Sequence, residues 1–305
     1  MRSVSLVLLV IVFLVSLALT SFTRQNILIE KRARVTKSNI PVLEKGVESF
    51  PVLSAMGIIA IDEDSGIILY EKNADTTLMP ASTTKIITAL VAMDYYKPED
   101  VLTVRDARSE GQKMKLFSGE QMTFDNLLKG LLIYSANDAA EVLMQDYPGG
   151  RESFVKAMNE KARAINLSHT TFVNPTGLDE AGHVSTPRDL VLASEVAMRN
   201  PKFAQVVGTK VVDVSDISGK FFHHLTNVNE LLGMVDGVLG VKTGWTEGAR
   251  ENLVTYIKRG DKKVFIALLG SQDRFGETKE LINWIFSSYQ WVDPREAITY
   301  RNMYQ

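Results

Sequence analysis

Two short runs of β-forming residues near one end of this chain and two more near the other enclose a middle that reads as helix, and that order limits the folds open to it. Met56 to Asp62 and Ile67 to Glu71 are separated by Glu63-Asp64-Ser65-Gly66, a turn composition, so they predict a hairpin. Asn252 to Ile257 and Lys263 to Leu269 repeat the pattern around Lys258-Arg259-Gly260-Asp261. Between them the apolar spacing predicts helices over Ser82 to Tyr96, stopped by Pro98, Phe124 to Gln145, stopped by Pro148, Glu152 to Ile165, and Arg188 to Arg199. A last helix is expected from about Glu277 to Trp291. The order predicts an α/β fold: one antiparallel sheet formed by both termini, flanked by helices, with an inserted helical subdomain.

Composition narrows the partners. At 305 residues, 45% hydrophobic and 23% charged, the chain has ample core, which excludes disorder, collagen and coiled coil as its main content. A net charge of -2 provides no field for gripping phosphate backbones, so no nucleic-acid partner is expected. With no cysteine there is no disulfide framework, no thiolate nucleophile and no sulfur-ligated metal. The four histidines (His169, His183, His223, His224) show no zinc spacing and no serine elbow, so neither a metal site nor a classical Ser-His-Asp triad is expected. His183, His223 and His224 read as loop or edge-strand residues.

Val4 to Phe22 carries no charge over 19 residues, enough to cross a hydrocarbon core of roughly 30 Å and longer than the usual apolar core of a signal peptide. Residues 1–22 are therefore expected as a membrane anchor, or else as a cleaved signal segment. Residues 23–50 read as a stalk, 51–291 as the folded domain and 292–305 as a tail.

Three short motifs carry the chemistry. Ser82-Thr83-Thr84-Lys85 comes first, Ser135-Ala136-Asn137 second and Lys242-Thr243-Gly244 third. Residues three apart share a helix face, so Lys85 can reach the Ser82 hydroxyl. Pro80 and Ala81 place Ser82 at a helix start, where the macrodipole favours negative charge on the oxygen. A serine hydroxyl becomes a good nucleophile only when a base takes its proton, and a lysine can be that base only if burial or nearby cations lower its pKa. Lys242 is the candidate cation. Singly the motifs are weak: Ser153 to Lys156 has the same spacing inside an amphipathic helix and reads as solvated surface, Ser135-Ala136-Asn137 also fits a helix cap, and Lys242-Thr243-Gly244 a strand end. Their order and contexts together point to an acylating serine.

The chain resembles the low-molecular-mass penicillin-binding proteins, the serine-type D-alanyl-D-alanine carboxypeptidases. The resemblance runs from about residue 52 to 290, through Leu69 to Asp75, Pro80 to Lys85, Asn174-Pro175-Thr176-Gly177-Leu178, Gly182 to Thr186, Gly240 to Thr246 and Gly270 to Phe275. It implies a β-lactamase/transpeptidase-like fold without cofactor. The substrate would be a peptidoglycan stem peptide ending in D-Ala-D-Ala, with β-lactams as covalent inhibitors. Ser82 would be the nucleophile, Lys85 the base and Ser135 a proton relay between Lys85, Lys242 and the leaving amine. Asn137 would bind the substrate carbonyl, Lys242, Thr243 and Gly244 would line the opposite wall, and the N–H groups of Ser82 and Trp245 would form the oxyanion hole. Arg274, with Thr243, would bind the terminal carboxylate. Such a substrate lies outside the cytoplasmic membrane, which places residues 23–305 extracytoplasmically, against the basic residues Arg24, Lys31, Arg32 and Arg34 that follow the apolar run.

Departures from the pattern bear on the rim. Glu247-Gly248-Ala249-Arg250-Glu251 replaces the small residues and Ala-Gly pair usual after the third motif, and Val184 and Pro187 replace an aromatic and an alanine around Asp189, which is expected to fix a loop. Relatives that carry a C-terminal β-domain extend beyond the point where Gln305 stands. A D,D-endopeptidase acting on cross-links is the nearest alternative, then a penicillin-binding sensor or scaffold with negligible turnover. A class A β-lactamase is disfavoured, because no Glu followed four residues later by Asn lies between Asn137 and Lys242 and because Ala136 replaces the usual Asp.

Overall fold

The structure, a computed structural model, describes residues 39–44, 46–47 and 49–296. The apolar run Val4 to Phe22 and the end of the expected tail lie outside the described residues, and among those described no helix is long and apolar enough to cross a membrane. The chain divides into a large compact unit, Glu44–Tyr289, and a small one contributed by the residues on either side of it. In the small unit β1 (Ile40–Leu43) pairs with β11 (Tyr289–Val292) as a two-stranded sheet. A strand thus lies within the segment expected to be a stalk.

The large unit is built on a five-stranded antiparallel sheet. Its strands are β2 (Gly57–Asp62), β3 (Ile68–Lys72), β8 (Val238–Thr246), β9 (Arg250–Arg259) and β10 (Lys262–Ser271), in the order β3-β2-β10-β9-β8. The two predicted hairpins are therefore adjacent in space, joined where Ile58 pairs with Leu268 and Ala60 with Ile266. Every residue of β2, and Val264 to Ser271 of β10, is buried, so both faces of the sheet are covered. Helix α5 (Pro187–Met198) packs against β2 and β10, and α7 (Arg274–Ser288) against β9 and β10. β8 closes one edge, and among the described residues no strand pairs with its outer side.

The inserted helices are α1 (Lys85–Tyr95), α2 (Phe124–Leu132), α3 (Asn137–Asp146), α4 (Gly150–Ala164) and α6 (Pro201–Val207). Their inward residues, among them Ile86, Leu131, Leu143, Phe154 and Phe203, join one core with Ile59 and Phe265 of the sheet. Short pairs β4 (Val101–Thr103) with β5 (Gln121–Thr123), and β6 (Val211–Ser215) with β7 (Phe222–Thr226), sit among the helices.

Two predicted helices differ from the observed ones, each for a physical reason. The expected helix Phe124 to Gln145 is two helices, α2 and α3, interrupted at Ile133 to Ala136. Ser135 takes a left-handed backbone there (φ 60°), which a continuing helix forbids, and α3 restarts with Asn137 donating its N–H to the Gln112 carbonyl (2.7 Å). Asp138, in the first turn of α3, accepts from the N–H groups of Met114 (3.1 Å) and Leu116 (3.0 Å), so the break is also where the preceding loop is tied down. The last helix begins at Arg274, capped by Asp273 accepting from Gly276, and ends at Ser288. Tyr289 to Val292 leave it because strand pairing with β1 overrides helical spacing in a run of β-forming residues.

Candidate active site

The first motif does not open directly as α-helix. Ala81 to Thr84 form a 3-10 turn, Ala81 has φ 48°, and α1 starts at Lys85. The Thr83 hydroxyl donates to the Pro80 carbonyl (2.6 Å), which fixes the turn. Two glycines let other chain segments close on it. A β-carbon on Gly244 would lie 3.1 Å from Ala81 Cβ, Pro80 O and Ser82 N, so glycine at 244 lets β8 lie close against the turn without crowding it. Gly177, at φ +85°, abuts the Ala81 carbonyl from the other side. Asn252 of β9, fully buried, donates to the Met79 carbonyl (2.9 Å) and accepts from Gly270 N–H (2.8 Å), anchoring the approach to the turn on the sheet.

Lys85 is 0% exposed, and its Nζ has three neighbours: Ser82 Oγ at 2.9 Å, Asn137 Oδ1 at 2.6 Å and the Thr176 carbonyl at 2.5 Å. An ammonium fills all three as donor. A neutral amine fills the two obligate acceptors, Asn137 and Thr176, and turns its lone pair to the one neighbour that also carries a proton, the Ser82 hydroxyl. Burial brings the Lys85 pKa down to about 7, opposed by Glu141 and Asp138. The expectation that Lys242 would depress Lys85 is therefore corrected: removal from water does it, because a sealed ammonium loses its hydration. The two amines also repel each other. Lys242, 1% exposed, is held well below the ordinary lysine range by burial first, then by Lys85 and Arg274.

Lys242 Nζ donates to Ser135 Oγ (2.8 Å) and to the Thr243 carbonyl (2.9 Å). The second and third motifs thus meet through this bond, and the first and second through Lys85 and Asn137. Lys85 does not bond Ser135 directly. Asn137 is committed at both ends, since its Nδ2 donates to the Glu110 carbonyl at 2.7 Å.

A cleft of about 670 Å³ opens over the group. Of the nine residues singled out from the sequence, Ser82, Ser135, Asn137, Thr243, Gly244, Trp245 and Arg274 line it, and Lys85 and Lys242 are buried behind it. β8 supplies one wall with its unpaired edge, and Trp245, 61% exposed, stands at the rim. Arg274 donates Nη1 to the Gly244 carbonyl (3.1 Å), while its own N–H goes to Glu251 Oε2 (2.8 Å); burial lowers its pKa, with Glu251 opposing. The Ser153 and Lys156 pair lies on α4, where Lys156 is exposed and within 3.9 Å of Glu160.

A family model for D-alanyl-D-alanine carboxypeptidase matches residues 45–273. The chain belongs to the D-alanyl-D-alanine carboxypeptidase family. Among curated relatives, it is 34% identical to D-alanyl-D-alanine carboxypeptidase DacF of Bacillus subtilis over 77% of this chain and 63% of that one. It is 35% identical to D-alanyl-D-alanine carboxypeptidase DacC of Escherichia coli over 82% and 66%. The chain thus spans just under two thirds of the length of these two carboxypeptidases. Among solved structures, the DD-transpeptidase of Streptomyces K15 superposes with a TM-score of 0.74 at 31% identity, covering 78% of this chain and 99% of that one. The likeness to that fold bears out the β-lactamase/transpeptidase-like architecture expected from the sequence.

Residues outside the three motifs also hold this cleft and its surroundings together. His183 is buried, accepts the Val173 N–H at Nδ1 (3.1 Å) and so offers its Nε2 proton to Thr84 Oγ1 (2.7 Å), beside Lys85; burial brings its pKa down to about 4. It lies in a loop, as the sequence leads one to expect, and its two ring bonds are what the sequence does not show. His223 and His224 do lie on the edge hairpin, bonded to Glu120 (2.6 Å) and Asp213 (2.7 Å). Asp189 holds a loop through His169 N–H (2.9 Å) and the Thr170 hydroxyl (2.7 Å). Thr176 acts through its backbone carbonyl, which no side-chain motif reveals, and Asn252 sits mid-strand. Among the described residues no cluster of metal-ligating side chains occurs.

Proposed function

We propose that this chain is a serine-type D-alanyl-D-alanine carboxypeptidase that removes the terminal D-Ala from peptidoglycan stem peptides through an acyl-enzyme on Ser82. The observation that carries the reading is the environment of Lys85 Nζ. It is sealed from water and lowered to a pKa of about 7, and Ser82 is the only one of its three partners that can give it a proton.

In this reading the Ser82 proton passes to Lys85 as Oγ attacks the penultimate carbonyl. The N–H groups of Ser82 and Trp245 take the oxyanion, a contact whose loss costs roughly 2.7–4 kcal/mol in other enzymes. Ser135, hydrogen-bonded to Lys242, gives its own hydroxyl proton to the departing D-Ala amine and takes in exchange the one held by Lys85, so that Lys85 is neutral again when water releases the acyl group by the reverse route. The substrate backbone lies along the free edge of β8, as an added strand does. Its carboxylate lies toward Arg274 and Thr243, and Asn137, held by Lys85 and Glu110, faces the peptide carbonyl. A β-lactam follows the same route and stops at the acyl-enzyme.

The domain assignment that goes with this is a catalytic domain over residues 51–291. Residues 1–22 serve as a membrane anchor or signal and 23–50 as the segment that leads from it, with the cleft on the extracytoplasmic side. The test is release of free D-alanine from diacetyl-Lys-D-Ala-D-Ala, with intact-mass detection of a penicillin adduct. Wild type is expected to give both signals and Ser82→Ala neither; folded wild type giving neither overturns the proposal.

A further inference from the structure

We propose that Asp179 is a positioning residue for the reaction: it clamps the turn after β8 and thereby fixes the main chain of Trp245 on the wall facing Ser82. The inference rests on the reading of the Trp245 N–H as an oxyanion donor. Asp179 Oδ1 accepts from the Thr246 hydroxyl (2.6 Å) and Oδ2 from the Gly248 N–H (2.9 Å). The Thr246 oxygen in turn accepts from the Ala249 N–H (3.0 Å). One carboxylate thus organises the three residues, Glu247 to Ala249, that join β8 to β9.

That turn needs holding. Arg250 closes it with φ 58°, a left-handed conformation that its β-carbon disfavours. Here the usual Ala-Gly pair is replaced, so the turn is kept in shape against the preference of its own residue. Gly248 has no spare room, because a β-carbon there would lie 2.8 Å from Asp179 Oδ2 and 2.9 Å from Met79 Sδ. Trp245 does not fix itself, since its ring is largely in solvent. Its backbone is registered against Glu251 across the sheet, and Thr246, the next residue, is the one Asp179 grips.

Asp179 also belongs to the loop that serves Lys85. Within that loop the Thr176 carbonyl takes a hydrogen bond from Lys85, Gly177 abuts Ala81, and Asp179 holds the far wall. The distance between the base and the oxyanion donor is therefore set by one short stretch of chain.

The experiment compares wild type, Asp179→Ala, Thr246→Val, their double variant, and Asp179→Ala combined with Arg250→Gly. Asp179→Ala removes two hydrogen bonds to a charged group on the surface, so kcat for D-Ala release is expected to fall about tenfold while KM stays within about twofold. Thr246→Val is expected to fall similarly and the double variant no further, because both break one unit. Arg250→Gly, which removes the strain that the clamp opposes, is expected to restore most of the loss. A purely supporting role would lower the melting temperature without that kcat–KM split or that rescue. The inference is overturned by a kcat within twofold of wild type, by additive losses, or by a change in KM alone. Hydrogen exchange separates it from the proposed function: amides of Gly248 and Ala249 are expected to exchange faster in Asp179→Ala. Unchanged exchange refutes the clamp even if wild type releases no D-alanine.

Discussion

Replacing Lys85 by methionine isolates the free energy of burying an amine, and the size of the effect follows from its environment. The side chain is fully enclosed and its pKa drops from 10.5 to about 7 in the folded protein. Between those two values the unfolded chain carries the proton and the folded one does not. The unfolded state therefore binds more protons, and stability rises with pH across that window. The cost of charging Lys85 is fully present below pH 7 and disappears above about 10.5. Each unit of pH within the window is worth about 1.4 kcal/mol. From pH 7.5 to 9.5 wild type is thus expected to gain roughly 2–3 kcal/mol relative to Lys85→Met. Lys242 is lowered too, chiefly by its own burial, and remains in both proteins. The absolute stability of Lys85→Met is a poorer readout, because the variant also strands the Asn137 and Thr176 oxygens, each costing about 1–3 kcal/mol. The assay is urea unfolding of both proteins at several pH values. Parallel curves, differing by under about 0.5 kcal/mol over the window, refute a neutral buried amine and with it the base assigned to Ser82.

The same pKa predicts an acid limb for acylation: the rate of penicillin adduct formation is expected to fall about tenfold per pH unit below 7 and to level off above it. A rate that stays constant down to pH 5, followed by stopped-flow or quenched mass spectrometry, contradicts it. Gly177→Ala places a β-carbon on the Ala81 carbonyl at a φ of +85°, so about 2–3 kcal/mol of stability and most of the acylation are expected to be lost. Thermal unfolding and adduct formation indistinguishable from wild type go against the close approach at this point.

The sheet was legible because its strands are set by turn chemistry and by apolar runs, both local signals. Glu63-Asp64-Ser65-Gly66 and Lys258-Arg259-Gly260-Asp261 stand where the hairpins reverse. The motif residues were legible for another reason: their residue types stand in an order and context that a resemblance picks out. What supports them was not. The break at Ser135 is invisible to helical periodicity, since the apolar spacing of Phe124 to Gln145 continues across it, and only the contacts of Asn137 and Asp138 with residues 110–116 show why the helix stops. Thr176 contributes a carbonyl, which every residue has. His183 carries a side chain that draws attention, yet the bond that uses it goes to Thr84, 99 residues away. The short helix at Pro201 had a readable start in Asn200, whose side chain accepts from Lys202 and Phe203, but its seven residues are too few for periodicity to register.

The source of the low Lys85 pKa bears on how such a site is held in place. Had a neighbouring cation been responsible, the base would depend on the charge of Lys242 and would weaken as salt screened it. Burial imposes no such dependence. Lys85 opens α1 among Ile86, Ile87 and Ala89, all sealed in the core that joins helices to sheet, and the loop from Asn174 to Asp179 closes over its amine. The quantity that tunes the base is then the same packing that stabilises the domain. It follows that substitutions which loosen this loop raise the Lys85 pKa and shift the acid limb upward, whereas substitutions at Lys242 act first on Ser135. The three motifs thus divide the work by environment: a base set by enclosure, a hydroxyl held by a second amine, and an edge strand brought against both by a glycine.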